Sequence, residues 1–566
     1  MAPNGSVAQD KSRPVFSGPG QPLVESNGAY DFEPLFPSSK PFVGSGSKEK
    51  LHLLLPATNG NVNLCKTLLT LAILGYPNPH VVSWKTQDGD AKLLGGGSHF
   101  GKITGVLAYL NDEDRRRQPG FDDQLILMID SYDIWFQLPV EVLMARYHAI
   151  LAEDNARVAH RMGRAFHREG IRSRVVFGAG KRCGPNQLHT LACYPIPDSP
   201  LPHDLYGGNT DTILGYNAFS SFRTRYLNSG YIMGPVGAMR PLLETASSKL
   251  AECWNRTDAE WDNGQHTSDN CYKGSDQSIF HEMWGAQEFH REVMRRHHRT
   301  SADDWLDRLK PGRPGARPPP SHIQNIPVDD FLEPSFTHQR NDKTYLPGKP
   351  FEHGITLDYW SLLGHQTSNA EFDYRYLRHD APLGPQMGTL NMWNCRPKAR
   401  MPDDLPEQTP FGPSTNTRWS SMPLYTEFCV GAVPVMIHHN SVDKWWREHQ
   451  WDKTWWNGTA RALLDARRSE GAPLLVEGIP TDKGLTLQWN KLCPREYEKE
   501  LFRDVDDPPP PPPSPPPFPP PSPPPSPPPP PSPPPPPSPP PPPPPPPSTP
   551  PPPPLPAAAA PAAAVA

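Results

Sequence analysis

The chain lacks any run of about eighteen consecutive apolar residues, so no segment is long enough to span a bilayer as a helix. It has no Cys-x-x-Cys pair, which leaves no zinc or thioredoxin-type signature. Charge of either sign is also in short supply. Lys and Arg number 55 against 60 Asp and Glu, and the formal net charge is −5. With the two signs interspersed, no electrostatic case for nucleic acid arises. The Arg115–Arg117 and Arg295–Arg299 clusters read as solvated surface. The amino terminus, Met1-Ala2-Pro3-Asn4-Gly5, has none of the charged-then-apolar pattern of a signal peptide.

Proline is abundant instead. There are 81 in 566 residues, about half of them after Asp507. Residues 508–556 are almost only proline with scattered serine, and the end is alanine-rich. A segment with no periodic apolar face cannot pack a core, so 508–566 reads as a polyproline II spacer or disordered tail. The remaining ~500 residues suffice for a large core with insertions, or for two domains. Eight cysteines are widely scattered, and Cys253/Cys271 or Cys183/Cys193 would close short loops. Sequons stand at Asn4, Asn255 and Asn457 and would matter only in a secretory lumen.

Along the chain, residues 1–48 are a Gly, Ser and Pro-rich leader. A strand at Leu51–Leu55 runs into Pro56-Ala57-Thr58-Asn59-Gly60 and a helical pattern through Leu68, Leu71 and Ile73. His80–Trp84 reads as a second strand, Gly95-Gly96-Gly97 as a turn, and Lys102–Leu110 as a helix. Leu125–Ile129 is a purely apolar run of the kind buried in parallel sheets. A long helix over about Val140–Glu169 and a strand at Arg174–Ala179 follow. Alternation of this kind predicts a mostly parallel sheet with helices on both faces. Further on come helices near Met239–Cys253 and from about Ser275, the latter with Ile279, Phe280, Met283 and Trp284 as core. Pro311–Pro320 reads as a linker or surface loop. Residues 358–425 read as an insertion or acceptor-side subdomain, Val433–Ile437 as a last strand, and 461–507 as a helical or extended extension.

The most informative residues are Asp130-Ser131-Tyr132-Asp133, at the exit of the apolar strand, where open α/β sheets place ligand chemistry. Positions three apart face opposite sides of a continuing strand. Both carboxylates converge on one cation only if the chain turns at Ser131. Alone, the pair is equally a turn and a helix cap, His438 a loop histidine, and Lys444 a solvated helix residue. Taken together, two carboxylates, an imidazole and an ammonium are the parts that hold a divalent cation and a diphosphate. Oxygen donors with one imidazole suit Mn²⁺ or Mg²⁺ better than Zn²⁺. Ser441 is placed to begin a helix whose N–H groups, with Lys444, face phosphate. Gly178-Ala179-Gly180 with Gly184 has the wrong spacing for a dinucleotide fingerprint.

The order of motifs resembles the glycosyltransferase domain of the procollagen lysyl hydroxylase and collagen galactosyltransferase-like family, in a fungal-type variant, over roughly residues 50–450. The matching pieces are Ala57-Thr58, Gly95-Gly96-Gly97, Asp130-Ser131-Tyr132-Asp133, Tyr226-Leu227-Asn228-Ser229-Gly230, Asp276-Gln277, and His438-His439-Asn440 with Lys444. The resemblance implies a GT-A-like α/β nucleotide-sugar transferase fold over residues 49–460. It implies Mn²⁺, with Mg²⁺ as substitute, held by Asp130, Asp133 and His438. It also implies a UDP-sugar donor, with Tyr132 stacked on uracil, Thr58 seating the uridine, and Asn440 and Lys444 at the diphosphate. Asn228 and Asp276 would lie beside sugar and acceptor, Asp276 as the catalytic carboxylate. The chain departs from the pattern at His439, where the family has glycine, and at Gly274-Ser275, where it has acids.

The expected activity is transfer of a hexose to a hydroxyl on a protein or glycan. Two other readings stand beside it. One is a degenerate transferase-fold scaffold presenting its proline tail to profilin-, SH3- or WW-type partners. The other is a metal-dependent phosphohydrolase, whose carboxylates activate water. An iron dioxygenase is disfavoured because the His167/Glu169 and His290/Glu292 pairs sit in helical sequence. The family resemblance implies the ER or Golgi lumen, whereas the start of the chain leaves the cytoplasm open.

Overall fold

A computed structural model describes residues 50–86, 100–186, 188, 190–213, 218–254, 275–310, 312–316, 321–323, 326–328, 351–387, 395–411, 416–441 and 443–503. The leader, the Gly95–Gly97 turn, the sequons at Asn4 and Asn255, the side chains of the Cys253/Cys271 pair and the proline tail lie outside these residues.

The central sheet has six strands: β1 Leu51–Pro56, β2 His80–Val82, β3 Leu125–Ile129, β5 Val175–Gly180, β6 Tyr226–Pro235 and β9 Ile355–Asp358, in the order β2-β1-β3-β6-β5-β9. The pairs β1/β2, β1/β3 and β5/β9 are parallel, while β6 runs antiparallel to both β3 and β5. The mostly parallel sheet is therefore as the sequence predicts. Apolar side chains alternate between two cores. Leu51, Leu53, Leu55, Leu125, Leu127 and Ile129 join the helices Val62–Ile73 and Val140–Met162 on one face. Leu54, Ile126, Met128, Val175 and Phe177 meet Phe100–Leu110, Val236–Trp254 and Asp276–His297 on the other. Burial on both faces is why these strands read as unbroken hydrophobic runs.

A second, three-stranded sheet sets the site. It comprises β4 Ile134–Phe136, β10 Gly364–Gln366 and β13 Met436–His438, in the order β10-β13-β4. Strand β13 runs parallel to β10 and antiparallel to β4, with His438 opposite both Gln366 and Ile134. Among the described residues there are also three two-stranded pairs: β7 Ser321–Ile323 with β8 Ile326–Val328, β11 Tyr374–Leu377 with β12 Leu424–Glu427, and β14 Ile479–Pro480 with β15 Thr486–Leu487. Among the described residues no helix is long and apolar enough to cross a membrane.

The structure corrects some details of the sequence reading and extends others. The helix read as Val140–Glu169 is two, Val140–Met162 and Arg164–Arg168. Gly163 breaks it at φ +55°, where a Cβ would lie 2.8 Å from the Cα of Gly315. Asn228-Ser229-Gly230 is interior to the ten-residue β6, which accommodates a bulge opposite Phe177/Gly178. Within residues 358–425, Gly364–Gln366 forms a strand of the second sheet, and Tyr374–Leu377 pairs with Leu424–Glu427. Arg295 is buried against Glu292 at 2.6 Å rather than solvated. Cys183–Cys193 is a disulfide, as are Cys65–Cys493 and Cys395–Cys429. Asn457 is exposed.

Candidate metal centre

Strand β3 ends at Ile129, and the chain turns over Ser131–Asp133 before β4 begins at Ile134. Two hydrogen bonds hold that turn: the Ser131 hydroxyl donates to the Pro56 carbonyl at 2.7 Å, and the Asp130 N–H to the Gly230 carbonyl at 2.7 Å. Because β13 pairs with β4, His438 arrives beside the turn, and the His439 N–H donates to the Asp133 carbonyl at 2.7 Å. His438 Nε2 lies 3.3 Å from Asp130 Oδ2 and 3.4 Å from Asp133 Oδ1. One donor atom from each of the three residues falls within 4.8 Å of the other two. The imidazole is 3% exposed, the carboxylates 25% and 18%, so the cluster opens to solvent on its acidic side.

The residues fit a small divalent cation. His438 Nε2 and Asp133 Oδ1 are buried and, ion-pair contact apart, have no hydrogen-bond partner among the described residues. Octahedral coordination with bonds of about 2.1 Å sets adjacent donors about 3 Å apart, close to the observed spacings. The Gln366 amide oxygen accepts from His438 Nδ1 at 2.7 Å, which turns Nε2 toward the carboxylates in the manner of an outer-shell partner. Gly230 makes room for the ring: a Cβ there would lie 2.0 Å from His438 Cε1 and 2.3 Å from Nδ1. Burial alone would lower the imidazole, but the Asp133 and Asp130 carboxylates outweigh it and raise the group to about 9. The pocket favours positive charge between them.

Lys102 extends the cluster. Its ammonium sits 2.5 Å from Asp130 Oδ1 and 3.1 Å from Asp276 Oδ2. Against the cost of burial, the two acids hold Lys102 above its ordinary value. Burial would likewise raise Asp130, yet Lys102 and then His438 keep it well below the usual carboxylate range. Asp130 thus gives one oxygen to Lys102 and turns the other toward His438.

Asp276, expected as a catalytic carboxylate, is 2% exposed and opens the Asp276–His297 helix, which Ser275 caps. Asn228 accepts the Gly230 N–H at 2.8 Å and donates to Gln277 Oε1 at 3.0 Å. The half-buried Tyr132 has its hydroxyl fixed by the N–H groups of Thr58 and Asn59 at 3.1 and 3.2 Å, and donates to the Asn59 carbonyl at 2.9 Å. Asn440 donates to Gln366 Oε1 at 2.7 Å and accepts the Ser368 N–H at 3.0 Å. Lys444 is an exposed first residue of the helix Lys444–Glu448, with no hydrogen bond or ion pair among the described residues. Asp443 caps that helix, not Ser441, whose hydroxyl donates to Glu371 at 2.8 Å.

Sequence reasoning missed Lys102 as a site residue, along with Gln366 and the packing role of Gly230. A lysine beside Phe100, Ile103 and Val106 on a buried helical face was the available signal for the first. Gln366 offered none. A second acidic group, Asp373, Glu427 and Cys429, is no metal site: Cys429 is in a disulfide and Lys181 Nζ stands 2.5 Å from Asp373. No protein-family model matches the chain, and no curated protein does.

Proposed function

We propose that the chain is a metal-dependent glycosyltransferase of GT-A type, moving a hexose from a UDP-sugar to a hydroxyl on a protein or glycan. The observation that carries this reading is the meeting of Asp130, Asp133 and His438, in which His438 Nε2 and Asp133 Oδ1 face each other without a hydrogen bond among the described residues. It stands at the C-terminal end of a strand in a mostly parallel sheet, where such folds take nucleotides. Asp130 Oδ2, Asp133 Oδ1 and His438 Nε2 would hold Mn²⁺, or Mg²⁺ in its place. Bound there, the cation supplies charge neutralisation for a departing diphosphate.

The remaining roles belong to the chain's own groups. Gln366 fixes the orientation of His438, and Lys102 holds Asp130. Tyr132, with its hydroxyl fastened to the Thr58–Asn59 backbone, offers a ring face for uracil. Asn440 is committed to Gln366 and Ser368, so its part is to support the ligand shell rather than to reach phosphate. Lys444 remains the ammonium available to a diphosphate. Asp276 is buried beside Lys102, and we assign it to orienting that lysine rather than to taking the acceptor's proton. Three disulfides and the exposed Asn457 sequon support a secretory lumen as the compartment.

A donor screen by UDP release with Mn²⁺ tests the reading. Turnover of at least one UDP-sugar is expected, and Asp130→Ala and Asp133→Ala should each reduce it by about a hundredfold or more while the protein stays folded. Wild-type rates in both variants would overturn the assignment. Phosphate release from simple esters without an acceptor would favour the phosphohydrolase. Absence of metal-linked UDP affinity would favour a scaffold with proline-binding partners.

A further inference from the structure

Beyond Val82 the chain makes a turn in which two residues with side chains take a left-handed backbone, Ser83 at φ +62° and Lys85 at φ +55°. Such conformations persist only where the surroundings over-determine them, and they gather at binding sites. Here the surroundings come from near the end of the described chain. Asp482 Oδ2 accepts the Ser83 N–H at 2.9 Å and Oδ1 accepts the Trp84 N–H at 3.2 Å. Its own N–H donates to the Val81 carbonyl at 2.9 Å, and Thr481 bridges Val81 in parallel. The far side of the turn is tied to the loop after β1, since the Lys85 N–H donates to the Thr58 carbonyl at 2.9 Å.

That loop is propped from the same segment. A Cβ on Gly60 would lie 2.7 Å from Leu492 Cδ1 and 3.8 Å from Trp84 Cη2, so Trp84 and Leu492 both back the Thr58–Gly60 loop. Cys493 fixes Leu492 in place through its disulfide to Cys65, in the helix Val62–Ile73 that follows the loop. Thr58 and Asn59 are also the residues that fasten the Tyr132 hydroxyl.

We infer that Asp482 is a positioning residue for the nucleotide end of the donor site. It holds the Ser83–Lys85 turn against the Thr58–Gly60 loop, so that the uridine rests on a surface built jointly by the first strands and the segment 481–493. The inference depends on the sugar-transfer reading above, and it makes the carboxyl-terminal segment part of the donor pocket rather than an appendage.

The test is calorimetric titration of the full chain with UDP in the presence of Mn²⁺, and separately with Mn²⁺ alone. Asp482→Ala should weaken UDP about tenfold, while affinity for Mn²⁺ alone stays within about twofold. Adding Ser83→Gly and Lys85→Gly to Asp482→Ala should recover most of the loss, because glycine takes a positive φ without a carboxylate to enforce it. Asp482→Asn keeps one acceptor, should fold where the alanine variant does not, and should weaken UDP about threefold. Unchanged UDP affinity in a folded Asp482 variant, or equal loss of UDP and Mn²⁺, overturns the inference alone. A wild-type chain that binds Mn²⁺ but shows no metal-linked UDP affinity removes the sugar-transfer reading, and this inference with it.

Discussion

The most constrained single residue near the cluster is Gly230. It is not needed for an unusual backbone angle; it is needed because the His438 ring occupies the space a side chain would take. Gly230→Ala must push the imidazole off its place or distort β6. The expected outcome is a loss of Mn²⁺ affinity of at least about tenfold, as when a ligand's orienting shell is disturbed. Overpacking should also destabilise the fold by about 1–3 kcal/mol. Titration of Mn²⁺ with a denaturation curve on the same sample checks both, and an alanine variant that binds Mn²⁺ like wild type would refute the packing argument. The sequence displayed Gly230 within a motif, but only the pairing of β13 with β4 brings His438 over it.

At the scale of elements, the short link from β9 to β10 joins the two sheets, as the turn from β3 to β4 also does, and Asp358 organises the former. Its buried carboxylate accepts the N–H groups of Leu362, Leu363 and Gly364 at 2.8, 2.8 and 2.9 Å and the Tyr231 hydroxyl at 3.0 Å. Burial nonetheless pushes its pKa up, against the pull of these bonds. Asp358→Ala strands three backbone donors in the interior, each worth about 1–3 kcal/mol, so unfolding free energy should fall by about 3 kcal/mol or more. Strand β10 carries Gln366, so Mn²⁺ affinity should fall as well. Urea denaturation would expose the error if the variant proved as stable as wild type. Asp358 was visible in the sequence only as the first residue of a Pro, Asn and Asp-rich stretch. Nothing local announces a carboxylate that caps a loop between sheets, because its partners are backbone groups.

The whole molecule should be sensitive to acid. Burial lowers His281 to about 4 and His365 to about 3, and the half-buried His353 and His379 to about 4. All four are neutral in the folded chain at pH 7, while in the unfolded chain they titrate near 6.5. As pH falls below about 6.5 the unfolded state takes up protons that the folded state refuses, so stability drops toward pH 4. The denaturant midpoint should therefore be clearly lower at pH 4.5 than at pH 7. Equal midpoints would show that these imidazoles are not held neutral. The Cys65–Cys493 bond acts at the same scale, closing the chain across a separation of 428 residues and binding the carboxyl-terminal segment to the first helix.

The sequence by itself determined the mostly parallel sheet, its apolar strands, the helices on both faces and the residue types gathered at the ends of β3 and β13. These follow from local periodicity and from side-chain chemistry, which neighbours along the chain suffice to express. The motif resemblance implied that Asp130, Asp133 and His438 share a cation; tertiary structure alone decided their spacing, that Lys102 and Gln366 hold them, and that Asp482 shapes the turn after β2. Those contacts join positions up to about four hundred apart. No local pattern encodes them, because they exist only once two sheets have packed and brought their strand ends to the same place.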